Sequence, residues 1–135
     1  MQTNGVIQRK FALLDNYLIR LQQQLNDVDS ESFKNAWALQ RMAERSLQVM
    51  IKVVVDIAER IIALKNAGPV ASAAQALEKL VDLTVIKSAQ PYTEMIRFRN
   101  LIVHQYEEIN PDIVYHIAKN NLDTFRQFRD EIDKL

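Results

Sequence analysis

Apolar side chains recur every three or four residues along most of the chain, which is the spacing of one face of an α-helix. The clearest stripe lies near the amino end, with steps of four, three, four, three and four residues: Ile7, Phe11, Leu14, Leu18, Leu21 and Leu25. No stretch shows the sustained apolar–polar alternation of a strand. The pattern predicts five helices, over residues 6–25, 31–66, 71–80, 89–106 and 110–132.

The gaps between these helices carry residues that start or stop a helix. Asp29 or Ser30 is suited to cap the amino end of the second helix, and Asn110, followed by a proline, opens the last one. Gly68, also followed by a proline, is placed to end the second helix. We therefore expect an all-α, up-and-down helical bundle of four main helices plus one short helix, forming a single domain over residues 1–135.

The second helix is too long for a compact domain of this size. If continuous it would span about 50 Å at a rise of 1.5 Å per residue. A domain of this length has a radius of gyration near ~14 Å. Such a helix must bend or be covered by another chain, and the second option predicts a homodimer.

Two polar residues, Gln40 and Glu44, interrupt the apolar stripe of that helix. Burying an unpaired carboxylate costs several kcal/mol, so Glu44 needs a partner or a cavity, and Arg41 and Arg45 are one position further round. In one interpretation Glu44 only pairs with a structural arginine. In the other, Gln40, Arg41 and Glu44 form one wall of a polar cleft. The rest of the stripe is apolar: Phe33, Trp37, Leu47, Ile51, Val54, Ala58 and Ile61.

The fourth helix mixes four polar side chains, Arg97, Arg99, Asn100 and His104, with its apolar positions. Asn100 and His104 are four residues apart, so they project from the same face and could share a hydrogen-bond network. Arg99 and His104 are five residues apart, which is roughly 140° around an ideal helix. These two side chains would converge on one ligand only if the helix frays near His104 or if two chains contribute.

A histidine beside an arginine suits cleavage of RNA without a metal. A histidine side chain ordinarily titrates near neutral pH and could take the proton of a 2′-hydroxyl, while an arginine stabilises charge on the phosphate oxygens. Tyr106 could bind the same phosphate or offer its hydroxyl to a modifying enzyme. No second histidine or carboxylate has metal-ligand spacing to His104, and no glycine-rich phosphate loop occurs, so we expect neither metal nor cofactor.

The composition of the chain limits the binding partners and the cellular location that we expect. The chain has 135 residues, 17 basic and 17 acidic side chains and no cysteine. A zero net charge gives no general attraction to nucleic acid, so RNA would have to meet a local basic cluster. The strongest apolar stretch, residues 49–62, is broken by charges and is shorter than the ~20 residues of a membrane span. With no signal peptide evident, we expect a cytoplasmic protein that does not contact membranes.

The motif Arg99-Asn100-x-x-x-His104-x-Tyr106 resembles the R-x-x-x-x-H-x-Y signature of the HEPN superfamily, in the Arg-Asn form typical of HepT-like toxins. The long second helix, its glycine–proline stop and the Asn110-Pro111 start of the last helix resemble that family's layout as well. The resemblance therefore covers nearly the whole chain.

This resemblance implies a homodimer whose two motif helices face each other across a cleft. It implies the endoribonuclease toxin of a type VII-like toxin–antitoxin pair, whose partner, a minimal nucleotidyltransferase of the MntA type, transfers AMP onto the motif tyrosine. Carried over, Arg99 and His104 are catalytic and Tyr106 is the modified residue. Asn100 matches the motif, and Arg97 is assigned as an additional RNA contact. Gln40, Arg41 and Glu44 are expected to be supporting residues. This expectation comes from the polar break in the apolar stripe of the second helix and not from the R-x-x-x-x-H-x-Y motif.

Two other hypotheses remain open from the sequence. The chain could be a non-catalytic helical companion of a nucleotidyltransferase that binds a nucleotide or partner, which zero net charge favours because RNA affinity comes mainly from phosphate contacts. Alternatively, the polar residues of the fourth helix could only make dimer contacts. The sequence also leaves open which RNA is cleaved, and whether the antitoxin acts by AMPylation or by occlusion.

Overall fold

The computed structural model describes residues 5–104 and 109–135, which are helical and contain no strand. The expected all-helical architecture is confirmed, although two of the predicted helices are each divided. The helices of the described residues are α1 (Gly5–Leu25), α2 (Ser30–Lys34), α3 (Trp37–Leu64), α4 (Ala73–Asp82), α5 (Gln90–His104), α6 (Pro111–Asn120) and α7 (Asp123–Asp133).

Helix α3 is the centre of the bundle and contacts α1, α4, α5, α6 and α7. Three consecutive residues, Val53, Val54 and Val55, are all buried, which requires neighbours on more than one side of the helix. An aromatic group closes the core between α1, α5 and α7. The Phe128 ring lies 5.2 Å from that of Tyr92 and 6.4 Å from that of Phe11.

The long helix predicted over residues 31–66 is interrupted at Asn35 and Ala36. The physical cause is Gln40, whose side-chain nitrogen donates to the backbone oxygens of Phe33 and Lys34 at 2.8 and 2.9 Å. These two carbonyls end α2: the Lys34 oxygen accepts from the Gln40 side chain, and the Phe33 oxygen accepts both from that side chain and from the backbone nitrogen of Ala36 at 3.1 Å. Trp37, expected on the buried stripe, is the first residue of α3 and is 62% exposed.

The start of α2 agrees with the sequence. The Asp29 carboxylate accepts a hydrogen bond of 2.8 Å from the backbone nitrogen of Ser32, so Asp29 is the amino-terminal cap. This backbone hydrogen bond holds the pKa of the Asp29 carboxyl below its usual value.

The end of α3 lies slightly before the expected glycine. Asn66 adopts a left-handed conformation with φ of 53°, and the backbone nitrogen of Ala67 donates to the oxygen of Ile62 at 3.0 Å. This is the hydrogen bonding of a Schellman motif, with asparagine in the position where glycine is common. Gly68 follows the stop, and a Cβ there would come within 3.2 Å of the Ile62 side chain.

The last predicted helix, over residues 110–132, is divided into α6 and α7 at Asn121 and Leu122. Its start is confirmed, because the Asn110 side chain accepts from the backbone nitrogen of Asp112 at 2.9 Å. The division falls after tandem asparagines, whose side chains compete with the helix for backbone hydrogen bonds. It separates the direction of α7 from that of α6 and leaves Asn121 at the corner.

The amino end of α3 and the carboxyl end of α5 lie at the same end of the bundle. Helix α2, which leads into α3, packs on α6: the Phe33 and Tyr115 rings are 5.4 Å apart, and Lys34 lies 4.0 Å from Asp112. A short segment joins His104, the last residue of α5, to the start of α6. Because α3 leaves this end and α5 arrives there, the two contacting helices run antiparallel.

Candidate functional site

Helix α5 carries the proposed catalytic pair and remains helical through His104. Arg99 and His104 therefore keep their five-residue spacing, about 140° around the helix axis. The Arg99 side chain is half-buried, whereas His104 is exposed. Fraying of the helix up to His104, one of the two ways in which the pair could converge, does not occur in the described residues.

The Arg99 guanidinium is partly oriented by its neighbour. Its Nη2 donates a hydrogen bond of 3.1 Å to the side-chain oxygen of Asn100. Its Nε is buried and has no hydrogen-bond partner in residues 5–104 and 109–135. A guanidinium has five N–H donors in a planar fork, so most of its capacity to bind an anion remains available.

Arg97, Asn100 and His104 are exposed, and they occupy one side of α5 at steps of three and four residues. The Asn100 side-chain oxygen accepts a hydrogen bond from Arg99. Among the described side chains, this contact takes the place of the hydrogen-bond network that was expected between Asn100 and His104. Between residues 95 and 104 the helix carries two arginines and a histidine and no acidic residue. This local cluster supplies the positive charge that the neutral chain lacks overall.

The first turns of α3 hold the supporting residues. Arg41 pairs with Glu44 at 2.5 Å, which confirms that Glu44 has a partner, and its guanidinium lies 5.6 Å from the centre of the Trp37 ring. Gln40 is buried, and its side-chain amide donates hydrogen bonds to the carbonyl oxygens that end α2. The structure thus gives Gln40 an evident role in the fold, while Arg41 and Glu44 form a charged pair at the end of the bundle that also holds the carboxyl end of α5.

The sequence did not indicate the exposure of Trp37, the first residue of α3. The motif tyrosine, Tyr106, lies outside the described residues. His116, expected at the surface, is exposed and lies 3.1 Å from the Asn120 side chain.

Metal-binding clusters and membrane-spanning helices are absent from residues 5–104 and 109–135. In them no three histidine or acidic side chains are grouped so as to hold a metal ion. No helix in the same ranges is long and apolar enough to cross a membrane.

The chain matches characterised sequences over nearly its full length. The family model described as Ribonuclease HepT-like matches residues 14–132. The chain is 32% identical over 133 residues to the mRNA nuclease HepT of Shewanella oneidensis, covering 96% of this chain and 97% of the relative. It is 22% identical over 112 residues to the tRNA nuclease HepT of Aphanizomenon flos-aquae, covering 82% of this chain and 76% of the relative.

Solved structures share the fold as well. One is a tri-AMPylated Shewanella oneidensis HEPN toxin in complex with an MNT antitoxin, with a TM-score of 0.90 and 30% identity over 98% of this chain and 100% of that one. Another is a toxin–antitoxin complex with AMP-PNP, with a TM-score of 0.90 and 29% identity over the same shares of the two chains.

Proposed function

Because the chain belongs to the Ribonuclease HepT-like family, we propose that it is the endoribonuclease toxin of a toxin–antitoxin pair, with Arg99 and His104 as its catalytic residues. The related Shewanella oneidensis protein is named as an mRNA nuclease and the Aphanizomenon flos-aquae protein as a tRNA nuclease, so the substrate class is RNA. An mRNA or tRNA substrate supports a cytoplasmic location, which is part of this proposal.

The observation that carries this proposal is the arrangement of α5. Arg99 and His104 are the side chains suited to bind a phosphate and to move a proton, but one intact helix directs them about 140° apart. Two chains related by a two-fold axis could place the arginine of one beside the histidine of the other. The active unit is therefore a homodimer, with the RNA phosphate in a cleft between facing α5 helices.

In this cleft the His104 imidazole accepts the proton of a ribose 2′-hydroxyl. The hydroxyl oxygen attacks the adjacent phosphorus, the bond to the 5′-oxygen breaks, and that oxygen takes up a proton from solvent water as it leaves, while His104 later returns its proton to solvent. The Arg99 guanidinium donates to the non-bridging phosphate oxygens, where negative charge grows in the transition state. No metal takes part, and the products are a 2′,3′-cyclic phosphate and a 5′-hydroxyl.

The neighbouring residues of α5 assist this step. Asn100 accepts a hydrogen bond from Arg99 and fixes the direction of its remaining donors. Arg97, exposed on the same side of the helix as His104, contacts a further phosphate of the RNA. Arg41 and Glu44 support the end of the bundle to which α5 leads.

The antitoxin in this proposal is a nucleotidyltransferase of the MntA type that silences the toxin by attaching AMP to Tyr106. A similar solved structure, at 30% identity, is a tri-AMPylated HEPN toxin bound to an MNT antitoxin. Each AMP adds negative charge two residues along the chain from His104 and repels RNA. Incubation with the antitoxin and ATP should raise the intact mass by about 329 Da per AMP, and Tyr106→Phe should abolish the first addition. Inhibition without a mass change would instead indicate occlusion.

Cleavage of RNA in the presence of EDTA tests the enzymatic proposal. The wild-type protein should cleave single-stranded RNA and leave 2′,3′-cyclic phosphate ends, while His104→Ala should lose at least ~100-fold in rate. Circular dichroism of the variant should be unchanged, because His104 is exposed. Equal cleavage by both proteins would refute the role of His104, and no cleavage by either would favour a non-catalytic companion.

A further inference from the structure

A cavity of about 250 Å³ lies beside the motif helix, in the corner between α5 and the junction of α6 and α7. The division of the last predicted helix creates this corner, because it brings residues of both α6 and α7 against one side of α5. The residues that decide its chemistry are Glu94, Met95, Phe98, Ile117, Asn121 and Thr124.

The cavity has an apolar floor and a polar rim. Met95 and Phe98 are buried, and Ile117 is half-buried opposite them. On the rim, the side chains of Asn121 and Thr124 are half-buried and have no hydrogen-bond partner in the part of the chain that the structure describes. An apolar floor edged by unsatisfied hydrogen-bonding groups suits a heterocycle that carries donors and acceptors on its edge.

The position of the cavity relates it to the proposed catalytic residues. Glu94 and Phe98 are on the same helix as His104, and Phe98 precedes it by about 9 Å along the axis. Around the axis Phe98 points about 120° away from His104, whereas the exposed Arg97 is nearly in line with His104 and, three residues from Glu94, is its neighbour on the surface of α5. An RNA strand held at His104 and Arg97 would therefore pass the mouth of the cavity.

We propose that this cavity binds a nucleobase of the RNA next to the cleaved linkage, and that it selects guanine over uracil; this rests on the proposed ribonuclease function. A carboxylate only accepts hydrogen bonds, and Glu94 is at the rim, where one of its oxygens accepts from the side chain of Gln90 at 3.4 Å and the other can accept from a base. Guanine presents two adjacent N–H donors on its Watson–Crick edge, whereas uracil presents one N–H flanked by two carbonyl oxygens, which a carboxylate repels. Asn121 can both donate and accept, and so completes the recognition.

Methionine methyl groups allow the cavity to be observed directly in the wild-type protein. Met95 lines the cavity, while Met50 is fully buried in the core and serves as an internal reference. The protein is labelled with ¹³C at its methionine methyl groups and titrated with 2′-O-methyl pentanucleotides, which cannot be cleaved through a 2′-hydroxyl. One is all uridine, and five others carry a single guanine at each position in turn.

At least one guanine-containing strand should shift the Met95 signal and leave Met50 unmoved, with roughly tenfold tighter binding than the all-uridine strand. Asn121→Ala and Glu94→Gln should remove this preference. Asn120→Ala is the matched control, because Asn120 is the adjacent asparagine and contacts His116 instead. An unmoved Met95 signal, or equal shifts with all six strands, would overturn the proposal.

The same titration keeps the two proposals apart, because it involves no cleavage. If wild-type protein cleaves RNA but Met95 does not respond to guanine, the cavity proposal fails and the ribonuclease proposal stands. If Met95 responds but no RNA is cleaved in EDTA, the cavity is a base-binding site of a non-catalytic protein and the ribonuclease proposal fails.

Discussion

Arg99 donates a hydrogen bond of 3.1 Å to the side chain of Asn100, the next residue of α5. Adjacent residues on a helix point about 100° apart, so this contact holds the guanidinium of Arg99 against the Asn100 side chain and fixes its direction. The second residue of the Arg-Asn motif thereby acquires a physical role, which is to orient the first.

Replacing Asn100 by alanine should lower kcat for RNA cleavage about tenfold, because a hydrogen bond to a charged group contributes about 1.5–3 kcal/mol when intact and Arg99 would lose its direction. KM should change by less than about threefold, since the phosphate-binding groups remain. Asn100→Asp, which keeps the acceptor, should retain more activity than Asn100→Ala. Steady-state kinetics of the two variants measure this, and an unchanged kcat in Asn100→Ala would contradict the positioning role.

Gln40→Ala should lower the free energy of unfolding by about 1–3 kcal/mol, because the carbonyl oxygen of Lys34 loses its side-chain donor while that of Phe33 keeps only the backbone nitrogen of Ala36. Urea unfolding followed by circular dichroism measures the change. The matched control is Gln24→Ala, which removes an exposed glutamine from helix α1 and should change stability by less than about 0.5 kcal/mol.

The kcat of the folded fraction of the Gln40→Ala variant shows whether Gln40 has a structural or a catalytic role. The hydrogen bonds of Gln40 go to the backbone, so kcat per folded molecule should stay within about twofold of wild type. A large loss of kcat with unchanged stability would instead place Gln40 in the polar cleft that the sequence suggested.

Tyr92→Phe should reveal a pH-dependent contribution to stability. The Tyr92 hydroxyl donates to Glu131 at 2.6 Å, and burial, followed by that hydrogen bond and the carboxylate charge, raises the pKa of Tyr92 well above its usual value. At neutral pH the variant should be about 1–2 kcal/mol less stable. Because the pKa is higher in the folded than in the unfolded chain, this contribution is fully present below about pH 10 and declines above it.

Urea unfolding of wild type and Tyr92→Phe between pH 7 and about pH 11 measures this decline. The difference in free energy of unfolding should be constant up to about pH 9 and smaller at each higher pH. A difference that stays constant over the whole range would show that the Tyr92 proton is held no more tightly in the folded chain than in the unfolded one.

Most helices could be predicted from the sequence because their signals are local. The apolar stripe of α1 is buried as expected, and the caps Asp29 and Asn110 lie where hydrogen-bonding side chains precede a helix. The break before α3 could not be predicted, because it depends on the Gln40 side chain reaching backbone oxygens six and seven residues earlier. The spacing of apolar residues shows only that Gln40 is a polar residue within an apolar helix face. It does not show which atoms the Gln40 side chain contacts.

The candidate site divides in the same way. Arg99, Asn100 and His104 form a short motif within one helix, so their spacing predicts their relative directions, and the structure retains that spacing. The cavity next to them is assembled from α5, α6 and α7, between Glu94 and Thr124. Its existence depends on the corner at Asn121, where the sequence predicted a continuous helix.

The central claim is that one active site takes Arg99 from one chain and His104 from the other. Mixing Arg99→Ala with His104→Ala chains tests it, because neither variant alone contains both side chains, whereas a mixed dimer would contain one complete site and one lacking both. Random pairing makes about half of the dimers mixed, so the mixture should recover about a quarter of wild-type RNA cleavage.

Native mass spectrometry should establish that mixed dimers have formed, and RNA cleavage in EDTA should then be compared with that of each variant alone. Our account predicts inactivity of both single variants and recovery of about a quarter of the wild-type rate in the mixture. Mixed dimers that are no more active than the separate variants would contradict it, since Arg99 and His104 would then have to act within one chain.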